Sequence, residues 1–352
     1  MGFLLETARL EGTGLDVADL DRRLARADAA AARLAKASFA LDLDRTYALP
    51  ERTDADRIVV LGIGGSALGT RVVHEACGTG GEVPITVVDN IDPQALERAW
   101  AGGDPARTAW VVVSKSGTTT ETLAQCAVVR ERLRAAGAPA LMHAVTGETG
   151  PLRELARAEG LPVHPIPEDV GGRFSVFTPA STVPLALAGH DVPGLLEGAR
   201  RARAHGTAPG GSAARLAALL TAAEDAGRNV VALWAYAERL EPVGEWFRQL
   251  WAESLGKKRG DGTRAGQSPL HCVGSTDQHS IQQLMVEGPP DKAVLVLAGP
   301  ASDDLAVPAE APGAGSGHSC GRILEAMRRA TTAGMVRAGC PAATIRLDDW
   351  SE

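Results

Sequence analysis

Val111-Val112-Val113-Ser114-Lys115-Ser116-Gly117-Thr118-Thr119-Thr120-Glu121 is the stretch on which the fold turns. An apolar run enters a cluster of hydroxyls with one lysine and one glycine, and helical spacing follows to about residue 136. The pattern predicts a buried strand over 108–114, a tight turn, and a helix over 119–136. Short hydroxyls, backbone amides and a helix N-terminus then gather at one point, an arrangement suited to phosphate. A single hydroxyl suffices to cap a helix. The cluster therefore points to a small phosphorylated ligand.

Working outward, 57–63 reads as a second buried strand, with further strands at 84–89, 139–145 and 162–166. Helical spacing lies between them at 66–77 and 92–101, and an amphipathic helix precedes them at 19–38, with Leu20, Leu24, Ala27, Ala31 and Leu34 on one side. Strands alternating with helices imply crossovers and a parallel sheet covered on both faces, with ligands beyond the carboxyl ends of the strands. The rhythm resumes after a Gly/Pro-rich stretch at 206–211: helix 213–226, strand 229–235, helix 243–254, strand 268–273, helix 278–287, strand 292–298, helix 320–337 and strand 342–347. Residues 300–319, rich in Pro, Ala, Gly and Ser, read as an exposed loop. The expected class is α/β, with two doubly wound parallel-sheet domains of three α/β/α layers. An N-terminal helical segment covers 1–40, a first domain 41–195 and a second 196–352.

Composition narrows the function. The 352 residues carry a formal charge of −7, so no basic surface is offered to nucleic acid. The 5 cysteines are scattered, without the spacing of a zinc site or a disulfide framework, so no metal is expected. The first residues lack the basic and apolar regions of a signal peptide, and no run spans a bilayer. A cytoplasmic location is expected, with no membrane partner.

Other segments bear chemistry. Leu61-Gly62-Ile63-Gly64-Gly65-Ser66 ends a strand in glycines that let backbone approach a ligand, but lacks the spacing of a dinucleotide fingerprint or a Walker motif. No redox cofactor is implied. Gly171-Gly172-Arg173-Phe174-Ser175 suits a bend that aims a guanidinium at an oxyanion; a surface ion pair fits equally well. Gln249 and Glu253 share a helix face, and a carboxylate on that largely apolar helix could serve as a base or be merely solvated. Glu121 in a first helical turn could cap or catalyse. His279 could be catalytic or an ordinary hydrogen-bonded histidine.

Together these segments resemble the phosphoglucose isomerase family, built from two sugar-isomerase (SIS) domains. The resemblance rests on Gly62–Ser66 with Leu68-Gly69, residues 114–121 and 171–175, Glu253-Ser254 with Gly256-Lys257, and Gln278-His279-Ser280 before Gln283, in the family's order. It implies interconversion of glucose 6-phosphate and fructose 6-phosphate without cofactor. Ser114, Ser116 and Thr119, with Lys115 beside them, would bind the phosphate, to which the Thr118 hydroxyl can by its own chemistry also donate; Gly65 and Ser66 would approach the sugar, and Gln249 would contact it. Glu253 would be the base moving a proton between C1 and C2, and Arg173 would stabilise the enediolate. His279 would assist ring opening from the partner subunit of a homodimer, with Glu121 helping to orient that machinery. The family also carries an NPFDQPG-like segment and a final helix with a ring-opening lysine. Neither is read before Glu352, and Lys257 and Lys258 do not correspond to that lysine, so the second domain is expected to be incomplete at its C-terminal end. Rival readings are an isomerase of another phosphosugar, such as mannose 6-phosphate, and a non-catalytic phosphosugar-binding protein. Aminosugar phosphate metabolism is a weaker rival, as no ammonia-releasing nucleophile is read.

Overall fold

The computed structural model describes residues 3–7, 15–37, 43–300, 305–313, 315–348 and 350. The chain forms two compact units, one of Met1–Ala35 with Ala202–Ser351 and one of Lys36–Arg201. Strand β1 (Phe3–Thr7) and helix α1 (Val17–Leu34) thus belong with the C-terminal half. Asp16 starts α1 by accepting the Ala18 N–H at 2.9 Å, and the helix ends at Leu34, short of the expected 38.

The unit of residues 36–201 holds β2 (Arg57–Leu61), α2 (Leu68–Cys77), β3 (Ile85–Val88), α3 (Pro93–Ala101), β4 (Thr108–Ser114), α4 (Thr120–Ala135), β5 (Met142–Thr146), α5 (Pro151–Glu159), β6 (Val163–Pro165) and α6 (Pro179–Ala188). Its sheet runs β3-β2-β4-β5-β6, and every pairing is parallel. Successive strand residues alternate between two cores. Ile58, Val60, Val111, Val113 and Val145 pack with Ala180, Val183 and Leu187 of α6. Val59, Leu61, Trp110 and Val112 pack with residues of α3, α4 and α5. Both faces are therefore apolar, which is why these strands read as unbroken hydrophobic runs.

From β2 the chain crosses to β3 at one side and returns to β4 on the other, so the strand order reverses between β2 and β4. Leu61 lies opposite Val112 there, setting the two strand ends and their loops side by side. Such a reversal opens a crevice for ligands at the carboxyl ends of the strands.

Helix α7 (Val192–Gly206) carries the chain into the second unit. There follow α8 (Ser212–Asp225), β7 (Val230–Tyr236), α9 (Glu241–Leu255), the short strands β8 (Lys257–Lys258) and β9 (Arg264–Ala265), β10 (Ser268–Val273), α10 (Gln282–Glu287), β11 (Lys292–Ala298), α11 (Cys320–Arg337) and β12 (Ala342–Leu347). This sheet runs β1-β12-β11-β7-β10, with β1 antiparallel and the others parallel. Helix α1 packs on α8.

The helix expected over 278–287 is split. A single turn, Thr276–His279, precedes α10. The Asp277 carboxylate accepts the Val273 N–H at 2.7 Å and the Ser280 hydroxyl at 2.6 Å, folding the segment back on itself. No helix among the described residues is long and apolar enough to cross a membrane.

Candidate active site

The loop after β4 is built around Gly117, whose φ of +65° favours glycine. A side chain there would also meet the Thr146 hydroxyl at 3.1 Å and the Thr149 carbonyl at 3.2 Å. Main-chain bonds fix the loop: Gly117 N–H to the Ser114 carbonyl (3.0 Å), Leu152 N–H to that of Gly117 (3.2 Å), and Gly147 N–H to that of Lys115 (2.9 Å). The hydroxyls bond one another. Ser114 Oγ lies 2.9 Å from Thr119 Oγ1, and Ser116 Oγ accepts from the Thr118 N–H (3.2 Å) and hydroxyl (2.9 Å). Thr119 occupies the position before α4, yet its side chain makes no capping bond. The positive end of α4 is thus left uncapped beside a group of hydroxyls. Ser116, Thr118 and Thr120 are exposed, and Glu121, in the first turn, is half-buried.

Two further loops meet this one. After β2, Gly64 takes φ +58° and begins a tight turn through Ser66. A Cβ on Gly65 would lie 2.0 Å from the Gly172 carbonyl oxygen, so backbone of the 171–175 segment fills the space that only glycine leaves. Ser175 Oγ, in a residue 3% exposed, lies 2.8 Å from the Gly65 carbonyl and 2.7 Å from that of Gly172. Lys115 Nζ donates to the carbonyls of Glu168 and Val170, each at 2.7 Å. Asp169, between them, receives both ends of the Arg45 guanidinium at 3.0 and 3.1 Å. Arg173 is half-buried, with its guanidinium 4.7 Å from the centre of the Phe174 ring. The structure thus brings Gly65, Ser66, Ser114, Lys115, Ser116, Thr118, Thr119, Glu121 and Arg173 together at one end of this unit's sheet.

The other expected residues lie in the second unit. On α9, Gln249 Nε2 donates to Glu253 Oε1 at 3.0 Å; Glu253 is exposed, and its carbonyl accepts from Lys257 Nζ at 3.3 Å. Gly244 lets α9 sit on β10, since a Cβ there would lie 2.1 Å from the His271 ring. Burial holds His271 below its ordinary pKa. His279 ends the turn after β10 and is exposed, while its neighbour Gln278 donates to the Tyr236 hydroxyl at 2.8 Å. Burial raises the pKa of that phenol.

Ser175, Arg45 and Asp169 were not among the expected site residues. Arg45 and Asp169, and Ser175 and Gly65, pair across long stretches of sequence, so only the glycine pair ahead of Ser175 gave a local signal. The buried thiols are poor nucleophiles: burial pushes Cys126 up to about 11 and Cys272 up to about 12. Among the described residues no group of His, Cys, Asp and Glu is arranged to hold a metal ion.

Residues 51–291 match the family model described as phosphoglucose isomerase. The chain belongs to the phosphoglucose isomerase family. Every site residue from Gly65 to His279 lies within the matched segment. Among phosphoglucose isomerase relatives, the chain is similar to the "Probable glucose-6-phosphate isomerase" of Haloarcula marismortui, at 43% identity over 303 residues, 84% of this chain and 68% of the relative. It is also similar to the glucose-6-phosphate isomerase of Rubrobacter xylanophilus, at 38% identity over 337 residues, 88% of this chain and 76% of that one. A solved hypothetical protein from Thermus thermophilus superposes with a TM-score of 0.76 at 31% identity, covering 97% of this chain and 80% of its own.

Proposed function

We propose that this protein interconverts glucose 6-phosphate and fructose 6-phosphate. The observation that carries the reading is the uncapped start of α4, set beside Ser114, Ser116, Thr118 and Thr119 where the strand order of its sheet reverses. Relatives at 43% and 38% identity carry the names "Probable glucose-6-phosphate isomerase" and "Glucose-6-phosphate isomerase", which supports that ligand over other phosphates. In this reading the two units are doubly wound SIS-type domains.

The phosphate holds the sugar and supplies binding energy remote from the reacting carbons. His279 assists ring opening, and Glu121 orients that machinery. Glu253 then removes the C2 proton of the open aldose, leaving a cis-enediolate. Returning the proton to C1 while O2 gives up its proton and O1 gains one completes the ketose, with no change in overall oxidation state. Charge builds on O1 and O2 in the transition state, and in this reading the Arg173 guanidinium stabilises it. Gln249 contacts the sugar. The family resemblance extends to a cytoplasmic homodimer in which His279 serves the partner's site.

The test is turnover of fructose 6-phosphate in deuterium oxide. The expected product is glucose 6-phosphate carrying deuterium at C2. Saturable binding of fructose 6-phosphate without turnover or exchange would leave only a binding protein. Faster formation of mannose 6-phosphate would reassign the substrate.

A further inference from the structure

Lys115 stands inside the hydroxyl loop, where its charge suggests direct contact with phosphate. Its geometry gives it a different task. An ammonium has three N–H donors, and two of them are taken by the carbonyls of Glu168 and Val170. These carbonyls flank Asp169, which Arg45 grips through its two terminal nitrogens, and they stand directly before Gly171-Gly172-Arg173. Two glycines in succession make this approach to Arg173 conformationally free unless something outside it sets the path. At its far end the path is set by Ser175, bonded to Gly65, and at its near end by Lys115. Bonds from the lysine thus carry the phosphate loop to the arginine segment.

We infer that Lys115 is a positioning residue: it ties the phosphate loop to the Glu168–Val170 carbonyls and so fixes where Arg173 meets the developing enediolate. The inference rests on the isomerase reading above, in which Arg173 stabilises that oxygen. It gives a physical route by which phosphate, bound several carbons from the reaction, aligns the group that acts on C1 and C2. The hydroxyls and the start of α4 hold the phosphate, and the lysine transmits their placement. Binding energy remote from the reacting atoms then raises kcat rather than merely lowering KM.

The experiment compares the parent with Lys115→Met, Lys115→Arg, Arg173→Ala and the double variant Lys115→Met/Arg173→Ala. It measures kcat and KM for fructose 6-phosphate and the inhibition constant of inorganic phosphate. Lys115→Met is expected to lower kcat roughly 10- to 100-fold while the phosphate inhibition constant moves less than about 3-fold, and Lys115→Arg to recover part of the loss. Once Arg173 is gone, removing Lys115 should cost less than about 3-fold, because the two act as one unit. Two results would overturn the inference. One is a phosphate inhibition weakened roughly 10-fold with kcat retained, as direct phosphate contact demands. The other is a full kcat loss from Lys115→Met in the Arg173→Ala background. If Lys115→Met is insoluble, Lys115→Gln takes its place in each comparison. Should the parent fail to isomerise hexose phosphates, the functional reading falls while the lysine's role is still measurable by amide hydrogen exchange. Faster exchange at 171–175 in Lys115→Met, with the first turn of α4 unchanged, supports the tie; unchanged exchange at 171–175 refutes it.

Discussion

Ser175 Oγ lies 2.8 Å from the carbonyl oxygen of Gly65, joining two segments 110 positions apart. The same hydroxyl lies 2.7 Å from the Gly172 carbonyl. One proton is shared between two acceptors, and both acceptors belong to glycines whose backbones are pressed together. The contact makes the loop after β2 a support for the loop of Arg173. It also explains Gly65 on packing grounds, without need of a ligand.

Gly65→Ala tests this support. The added methyl would fall 2.0 Å from the Gly172 oxygen, so one of the two backbones must move. Overpacking of this kind costs about 1–3 kcal/mol. Urea unfolding should show that loss, and kcat should fall with it as the arginine segment shifts. Parent-like stability and turnover together would show that the close approach has no consequence.

Ser116→Ala separates binding from capping. Ser116 is exposed, and its hydroxyl bonds within the loop, to Thr118. A hydrogen bond to a charged group is worth about 1.5–3 kcal/mol, so KM for the phosphosugar should rise roughly 10- to 100-fold. Thermal stability should change by less than about 1 kcal/mol. A large stability loss with unchanged KM would return the hydroxyl to a structural role.

These tests act on features of unequal visibility in the sequence. Strands β2, β4, β7 and β11 were legible because each is buried on two faces and reads as a largely apolar run, as in Val111–Val113. The hydroxyl loop was legible because one cap cannot explain its composition. Helix α6 was not, because it is buried nearly all round and carries Pro184, so it shows no amphipathic stripe and contains a helix breaker. Strand β1 was missed because its partner, β12, lies at the opposite end of the chain. The work of Lys115 and Ser175 was invisible for a related reason: each bonds to carbonyls, which carry no residue-type signal.

The histidine pair on β5 and β6 sets a pH dependence of stability. His143 Nδ1 lies 3.2 Å from His164 Nε2, so the pair can share one proton as neutral rings but repels a second charge. Burial, aided by His143, lowers His164 from 6.5 to about 4. The unfolded chain therefore takes up the proton first as pH falls, and stability drops between about pH 6.5 and 4. Because the ring keeps part of its solvent contact, about 1–2 kcal/mol is the expected size. Melting temperatures across that window should fall for the parent and fall less for His164→Gln. Equal slopes would place the dependence on other groups. Glu82, held down to about 2 by hydrogen bonds from Thr79 and the Gly80 N–H, adds a further loss, mostly at lower pH, as pH falls from 4.5 to 2.

Glu253→Gln addresses the chemistry most directly. Glu253 is exposed at the end of α9 and receives a hydrogen bond from Gln249, which an amide oxygen can still accept, so the fold should survive the change. The amide cannot take a proton from carbon. Loss of a general base lowers turnover roughly 10²- to 10⁴-fold, and kcat should fall by that order with KM near the parent value. Deuterium exchange at C2 should fall in step, since exchange and isomerisation share the enediolate. A variant that lost isomerisation but kept exchange would move the defect to a later step, and one that kept both would remove Glu253 from proton transfer. Gln249→Ala offers the internal comparison: it deletes the bond to the carboxylate without deleting the base, so a much smaller loss is expected. Equal losses from the two variants would mean that placement of the carboxylate, not its presence alone, sets the rate.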